Sequence, residues 1–264
     1  MSYSNLKLKF FLITVFISLA VFSLTLLSHN FMSSSVNKLL FSNTETWNED
    51  VYKYSETNLS ELSTTSLHAI TEIKLSPPPK NSSKETEGEL EELHRLVIER
   101  TSEKISQIDR ELIYTGLYFH DFNLTEEIHP TKPRTQELLL HARYELLPVL
   151  VHFKNKFNRV RPYVLDPTLT KVIEAPGHPA YPSGHSTEAH LYALILGELN
   201  PVNKEIYWKD ASRIARNREI AGVHYQSDTE AGVMLAQDFF EILRQDPTYQ
   251  ELFPLARAEW TQEQ

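Results

Sequence analysis

The 264-residue chain has room for one ordinary domain and some additional segments, and would be tight for two full domains. Its formal net charge of -9 argues against a nucleic-acid partner, which calls for a basic surface, and makes any basic cluster within it informative. The chain contains no cysteine, which excludes disulfides, thiolate metal sites and cysteine nucleophiles, while a hydrophobic content of 41% suffices for a core.

Lys7 and Lys9 precede an uncharged apolar run, Phe10 to Leu27. A run of about 18 residues is at the lower limit for crossing a bilayer. Lysines before it and none directly after it predict an N-terminus inside and an exported remainder. Residues 1–32 are therefore expected to be an N-terminal membrane anchor or signal segment, with membrane contact through residues 10–27. The following domain is expected on the periplasmic or extracytoplasmic side, anchored by a single pass, or secreted if the leader is cleaved near Ser33-Ser34-Ser35. Residues 33–69 are rich in Ser, Thr, Asn and Glu without apolar periodicity and read as a flexible polar tether. Asn58-Leu59-Ser60, Asn81-Ser82-Ser83 and Asn123-Leu124-Thr125 match the glycosylation acceptor pattern.

Residues 70–264 read as one helical domain. Ile73 to Lys80 carries Pro77-Pro78-Pro79 and is an extended entry that cannot be helical. Ser83 or Thr86 is placed to cap a helix running through Glu87 to Arg100, with Leu90, Leu93, Val97 and Ile98 on one face. A second helix is expected over Ser102 to Phe119. A third opens at Thr131 or Thr135, carries Leu139, Ala142, Leu146, Leu150 and Phe153, and contains Pro148, a candidate kink. Arg161-Pro162 closes that region, and Tyr163 to Tyr181 reads as a loop. His185 to Leu199, Asn203 to Gly222 and Ser227 to Arg244 complete the set of predicted helices. With no strand ladder and no internal repeat, the fold class is all-α, a helical bundle preceded by one N-terminal apolar helix.

Three short blocks carry the chemistry. Lys154 and Arg161 are seven residues apart, which on a continuous helix places a mobile point charge and a planar fork on one face. Pro182-Ser183-Gly184-His185 sits where a helix begins, so free N–H groups and the helix dipole favour an anion there. Gly184 admits close backbone approach, the Ser183 hydroxyl can donate, and His185 can protonate a leaving alkoxide. In the third block Asp228 follows His224 by four residues and can accept the Nδ1 proton, leaving Nε2 as a nucleophile. Arg218 precedes His224 by six residues, so a break at Gly222 is needed to bring both into one pocket. Taken singly, these blocks read as a solvated basic helix end, a capped turn and a surface His-Asp pair. A metal reading of His178, His185, Glu188 and His190 is disfavoured, because five residues separate His185 from His190 and no HExxH pairing occurs.

Together the blocks resemble the signature of the superfamily that joins type-2 phosphatidic acid phosphatases, class A bacterial acid phosphatases and vanadium haloperoxidases. Lys154 to Pro162 fits its Lys-x6-Arg-Pro block and Pro182 to His185 its Pro-Ser-Gly-His block. The third block departs from the pattern, with Asn217 in place of Ser before Arg218. The resemblance extends over roughly Ile73 to Ala236, and the triple-proline entry, Ala193 to Pro201 and Gly222 to Asp228 are most similar to class A acid phosphatases. It implies a helical bundle of the acid phosphatase/vanadium haloperoxidase type and hydrolysis of a small phosphate ester. By the likeness His224 forms a phosphohistidine, Asp228 orients it and His185 is the general acid. Lys154, Arg161, Ser183, Gly184 and Arg218 hold the phosphoryl oxygens, with no metal and no cofactor. The alternative the resemblance implies is a vanadium-dependent haloperoxidase holding vanadate in the same pocket. A non-catalytic phosphate-binding protein is a third possibility, against which both retained histidines argue. The sequence leaves the oligomeric state unknown.

Overall fold

The computed structural model describes residues 62–111, 132–174 and 177–260. The expected anchor, residues 33–61 of the tether, the acceptor sites at Asn58 and Asn123 and the far end of the second predicted helix lie outside the described residues. No helix among the described residues is long and apolar enough to cross a membrane.

The described residues form helices joined by loops, without strands: α1 (Thr64–Glu72), α2 (Lys84–Leu96), α3 (Ser102–Arg110), α4 (Pro133–Phe157), α5 (Pro162–Leu165), α6 (Gly184–Leu199), α7 (Lys204–Ile220), α8 (Gln226–Leu243) and α9 (Pro247–Trp260). The all-α bundle expected from the sequence is the fold observed. Starts follow cap chemistry. Ser83 accepts from the Thr86 N–H, Thr101 from Lys104 and Ser183 from Ser186. Pro148 sits inside α4 and does not end it.

α2 ends at Leu96, before the Arg100 expected, which leaves Val97 and Ile98 exposed, and the short α5 opens the stretch read as a loop. Two further elements depart from the sequence reading. The stretch read as tether is helical from Thr64, because Thr65, Ser66 and Ala69 are buried against the rest of the domain. Its anchors are polar: Ser66 Oγ donates to Glu145 Oε2 at 2.7 Å and Thr65 Oγ1 to Asp246 Oδ2 at 2.7 Å. A helix held by hydroxyls shows no apolar period. The helix read as the last is followed by α9, which packs on α4 through Tyr249, Ala256 and Trp260. Two prolines, Pro247 at its start and Pro254 within it, mask its helical pattern.

α6 is the central helix. It is buried on most of its sides, with Leu191, Ile195 and Leu196 fully enclosed, and α7 and α8 pack against it. Each such side chain contributes about 1.5–3 kcal/mol through burial. α8 approaches α6 so closely that a Cβ on Gly232 would lie 2.7 Å from Ser186 Cβ and 2.9 Å from the Ser183 carbonyl. That approach sets the start of α8 beside the start of α6. A second apolar cluster, including Leu93, Ile108, Leu169, Ile220, Val223 and Tyr225, underpins the turn between α7 and α8.

That turn depends on Gly222, whose φ of +80° lies in the left-handed region. A Cβ there would stand 2.6 Å from the Thr170 carbonyl oxygen. Gly222→Ala is expected to cost about 1–3 kcal/mol through strain of this kind. An unchanged urea midpoint would contradict the account.

Candidate active site

α4 stops at Phe157 because Asn158 turns left-handed at φ 44°, donating its N–H to the Lys154 carbonyl at 2.9 Å. Arg159 and Arg161 therefore lie in the segment after the helix, and the same-face argument for Lys154 and Arg161 does not hold. The loop brings Arg161 back instead. Lys154 is 1% exposed, and its Nζ donates to the carbonyls of Pro179 (2.8 Å), Ala180 (3.3 Å) and Pro182 (2.6 Å). An ammonium has three N–H groups, so all are engaged beneath the loop that leads into Ser183. Burial and the neighbouring Arg161 hold its pKa well below the ordinary lysine value.

Arg161 is the hub. Its Nη1 donates to the Val223 carbonyl at 2.7 Å and approaches His224 Nε2 at 3.1 Å. Its Nε donates to the His178 carbonyl at 3.1 Å, and Nη2 approaches His178 Nδ1 at 3.1 Å. Burial lowers Arg161 to about 10, which leaves it charged at neutral pH. A guanidinium only donates, so His224 Nε2 is the acceptor and the ring proton resides on Nδ1. Nδ1 then donates to Asp228 Oδ2 at 3.1 Å, and that oxygen also accepts the Tyr225 N–H at 3.0 Å. Burial, then Arg161 and Lys154, push His224 well below its usual pKa, so the imidazole is neutral.

Arg218 reaches the same region from the end of α7. Its Nη2 donates to the Ile108 carbonyl at 3.1 Å and to Glu111 Oε2, while buried Nε and Nη1 have no hydrogen-bond partner among the described residues. Two unmatched donors on a fully buried cation are costly unless an anion supplies acceptors. Asn217, where the pattern has Ser, donates Nδ2 to Glu111 Oε1 at 2.6 Å. Asn217 thus supports Arg218 one step away, through the carboxylate that grips it. Ser183 caps α6 and is buried, with its N–H on the Asp228 carbonyl at 3.0 Å. Gly184 and His185 form the first turn of α6. Burial, then the charge of Arg218, push His185 well below its usual pKa.

The structure thus gathers all eight residues expected from the sequence around one region, and adds four. His178 touches Arg161, and its burial pushes it to about 4. Glu111 holds Arg218, while Arg159 and Glu89 lie behind Asp228. Of these, only Arg159 carries a sequence signal, its position two residues before Arg161. Of the remaining residues in the disfavoured metal reading, Glu188 pairs with Arg143 at 2.7 Å and His190 lies against Trp208. Among the described residues, the group within metal-binding reach is His141, Glu145 and Asp246, away from these blocks. Ser66 and Thr65 donate to its carboxylates and His141 Nε2 lies 2.7 Å from Asp246 Oδ1, so it ties α1, α4 and α9 together.

Residues 140–245 match the PAP2 superfamily. The chain is 30% identical over 111 residues to a non-specific acid phosphatase of Providencia stuartii, covering 40% of this chain and 45% of that protein. It is 33% identical over 110 residues to an acid phosphatase of Zymomonas mobilis, covering 40% of this chain and 42% of the relative. The chain thus spans less than half the length of these curated relatives. A solved structure described as the first bacterial vanadium-dependent iodoperoxidase aligns with a TM-score of 0.54 at 18% identity, covering 69% of this chain and 53% of that one. At that identity the likeness is one of fold.

Proposed function

From a chain that carries a PAP2 superfamily domain over residues 140–245, we propose a phosphomonoesterase that works through a covalent phosphohistidine on His224. The observation that carries this reading is the His224 ring: Nδ1 on Asp228 at 3.1 Å and Nε2 on Arg161 Nη1 at 3.1 Å. The tautomer leaves the Nε2 lone pair facing a cation. When an ester enters, Arg161 exchanges that bond for a phosphoryl oxygen, and Arg218 Nε and Nη1 take others. Nε2 then attacks phosphorus as the bond to the alcohol oxygen breaks, and His185 gives that oxygen its proton. Water next attacks phosphorus, its proton returns to His185, the P–N bond breaks and phosphate leaves. Guanidinium donors and helix N–H groups stabilise the equatorial charge, so the scheme calls on no metal. Lys154 acts here through the loop it ties down. Export and anchoring through residues 10–27 belong to the same proposal.

A panel of phosphate esters, run with and without vanadate on the full chain, tests the reading. Turnover inhibited by vanadate is the expected result. Bromide or iodide oxidation after vanadate loading, without phosphatase turnover before it, would favour the haloperoxidase chemistry instead.

The acid role gives a separate expectation. His185 sits well below its usual pKa, so the free enzyme carries its proton only in acid, and kcat/KM should fall as pH rises through that value. His185→Ala should impair alkyl esters far more than aryl esters, whose leaving groups need little protonation, and should erase that limb for aryl esters. Equal losses on both classes would remove His185 from the role.

A further inference from the structure

The geometry points to Arg159 and Glu89 as a positioning pair that fixes the Asp228 carboxylate, and through it the His224 ring, in the productive orientation. The inference rests on the reading of His224 as the nucleophile. Arg159 is 3% exposed, and it is none of the cations that line the site. Its Nη1 donates to Asp228 Oδ1 and to Ser227 Oγ, both at 2.7 Å, and its Nη2 donates to Glu89 Oε2 at 2.9 Å. The guanidinium lies 3.9 Å from the Tyr225 ring centroid, so its plane is held by stacking as well as by hydrogen bonds.

The second oxygen of Glu89 accepts the Ser227 N–H at 2.6 Å, in the first turn of α8. Glu89 on α2 therefore grips both the arginine and the backbone that carries Asp228. Glu89 also lies outside residues 140–245, so the device recruits a helix that precedes the matched region.

A carboxylate torsion is soft, with a broad and nearly two-fold profile. With Oδ1 held by Arg159, Oδ2 is the oxygen left for His224 Nδ1 and the Tyr225 N–H. Without that hold the carboxylate can pivot and the ring can follow. A displacement of about 1 Å in a reacting group costs on the order of 10²-fold in rate. Glu89 has a second effect. It shares the charge of Arg159, so the arginine does not draw Asp228 wholly away from the imidazole.

The test compares the full-length protein with Arg159→Lys, which keeps the charge but not the fork, and Glu89→Gln, which keeps the shape but not the charge. Two readouts are taken: steady-state kinetics on an aryl phosphate, and the ¹⁵N signals of the His224 ring. Arg159→Lys is expected to lower kcat on the order of 10²-fold with KM nearly unchanged, and to blur the Nδ1–H tautomer. Glu89→Gln should give a smaller loss of the same kind in a folded protein. Native kcat and tautomer in both variants would overturn the pair's role. So would a loss of kcat that merely follows loss of folded protein while the tautomer stays native. If the native protein turns over no phosphoester, the nucleophile reading fails, and the ring signals still decide whether the pair holds the imidazole.

Discussion

His224→Ala is expected to abolish turnover and, with it, the acid-labile phosphoenzyme. The ring nitrogen that faces Arg161 is held neutral by burial and by the cations Arg161 and Lys154, so its lone pair is available even in mild acid. The other residues around the site are poor substitutes. Lys154 has its three N–H groups on loop carbonyls, Asp228 is committed to three donors, and Ser183 is buried as the α6 cap. Removing the nucleophile from a catalytic constellation of this sort lowers kcat by at least about 10³-fold. The alanine variant should keep the native fold, because Asp228 retains Arg159 and the Tyr225 N–H as partners. Rapid quench into alkaline detergent with a ³²P-labelled ester preserves the adduct and reads it directly, and its loss on later acidification identifies the P–N bond. A variant that still accumulates label would place the nucleophile elsewhere.

The second and third blocks were legible because each couples a special backbone position to a group that carries the chemistry. Ser183 caps a helix, Gly222 turns one off, and Asp228 opens another, so the residues that fix the chain also deliver the chemistry. Arg159 shows the limit. In the sequence it is one more cation in a basic stretch, and only the fold reveals that it faces Asp228 and Glu89, 69 and 70 residues away in number. Glu111, at the end of α3, and His178, noticed only in the disfavoured metal reading, were hidden for the same reason, since a single carboxylate or imidazole carries no periodicity. The resemblance implies that Lys154 holds phosphoryl oxygens. In the structure its donors hold the Pro179–Pro182 loop, a contact that only the fold reveals. The helices at either end of the described region, α1 and α9, escaped because hydroxyl anchors and internal prolines obscure the apolar stripe that marks a helix.

Asp228→Asn is expected to cost stability and activity together, and the reason is one of donors and acceptors. Oδ1 accepts from Arg159, while Oδ2 accepts from His224 Nδ1 and the Tyr225 N–H. An amide offers one oxygen. If its NH2 faces Arg159, two donors meet in a site with no exposure to water. If it faces His224, Nδ1 must become the acceptor and the proton moves to Nε2, where it meets Arg161 Nη1 at 3.1 Å. Neither orientation satisfies the cluster. Removing one partner of a buried ion pair costs about 3–5 kcal/mol, and the wrong imidazole tautomer lowers kcat by about 10⁴-fold. Equilibrium unfolding in urea measures the first effect and single-turnover kinetics on an aryl phosphate the second. A variant that unfolds at the native midpoint, or keeps kcat within about tenfold of it, would mean that Asp228 neither anchors Arg159 nor sets the His224 tautomer.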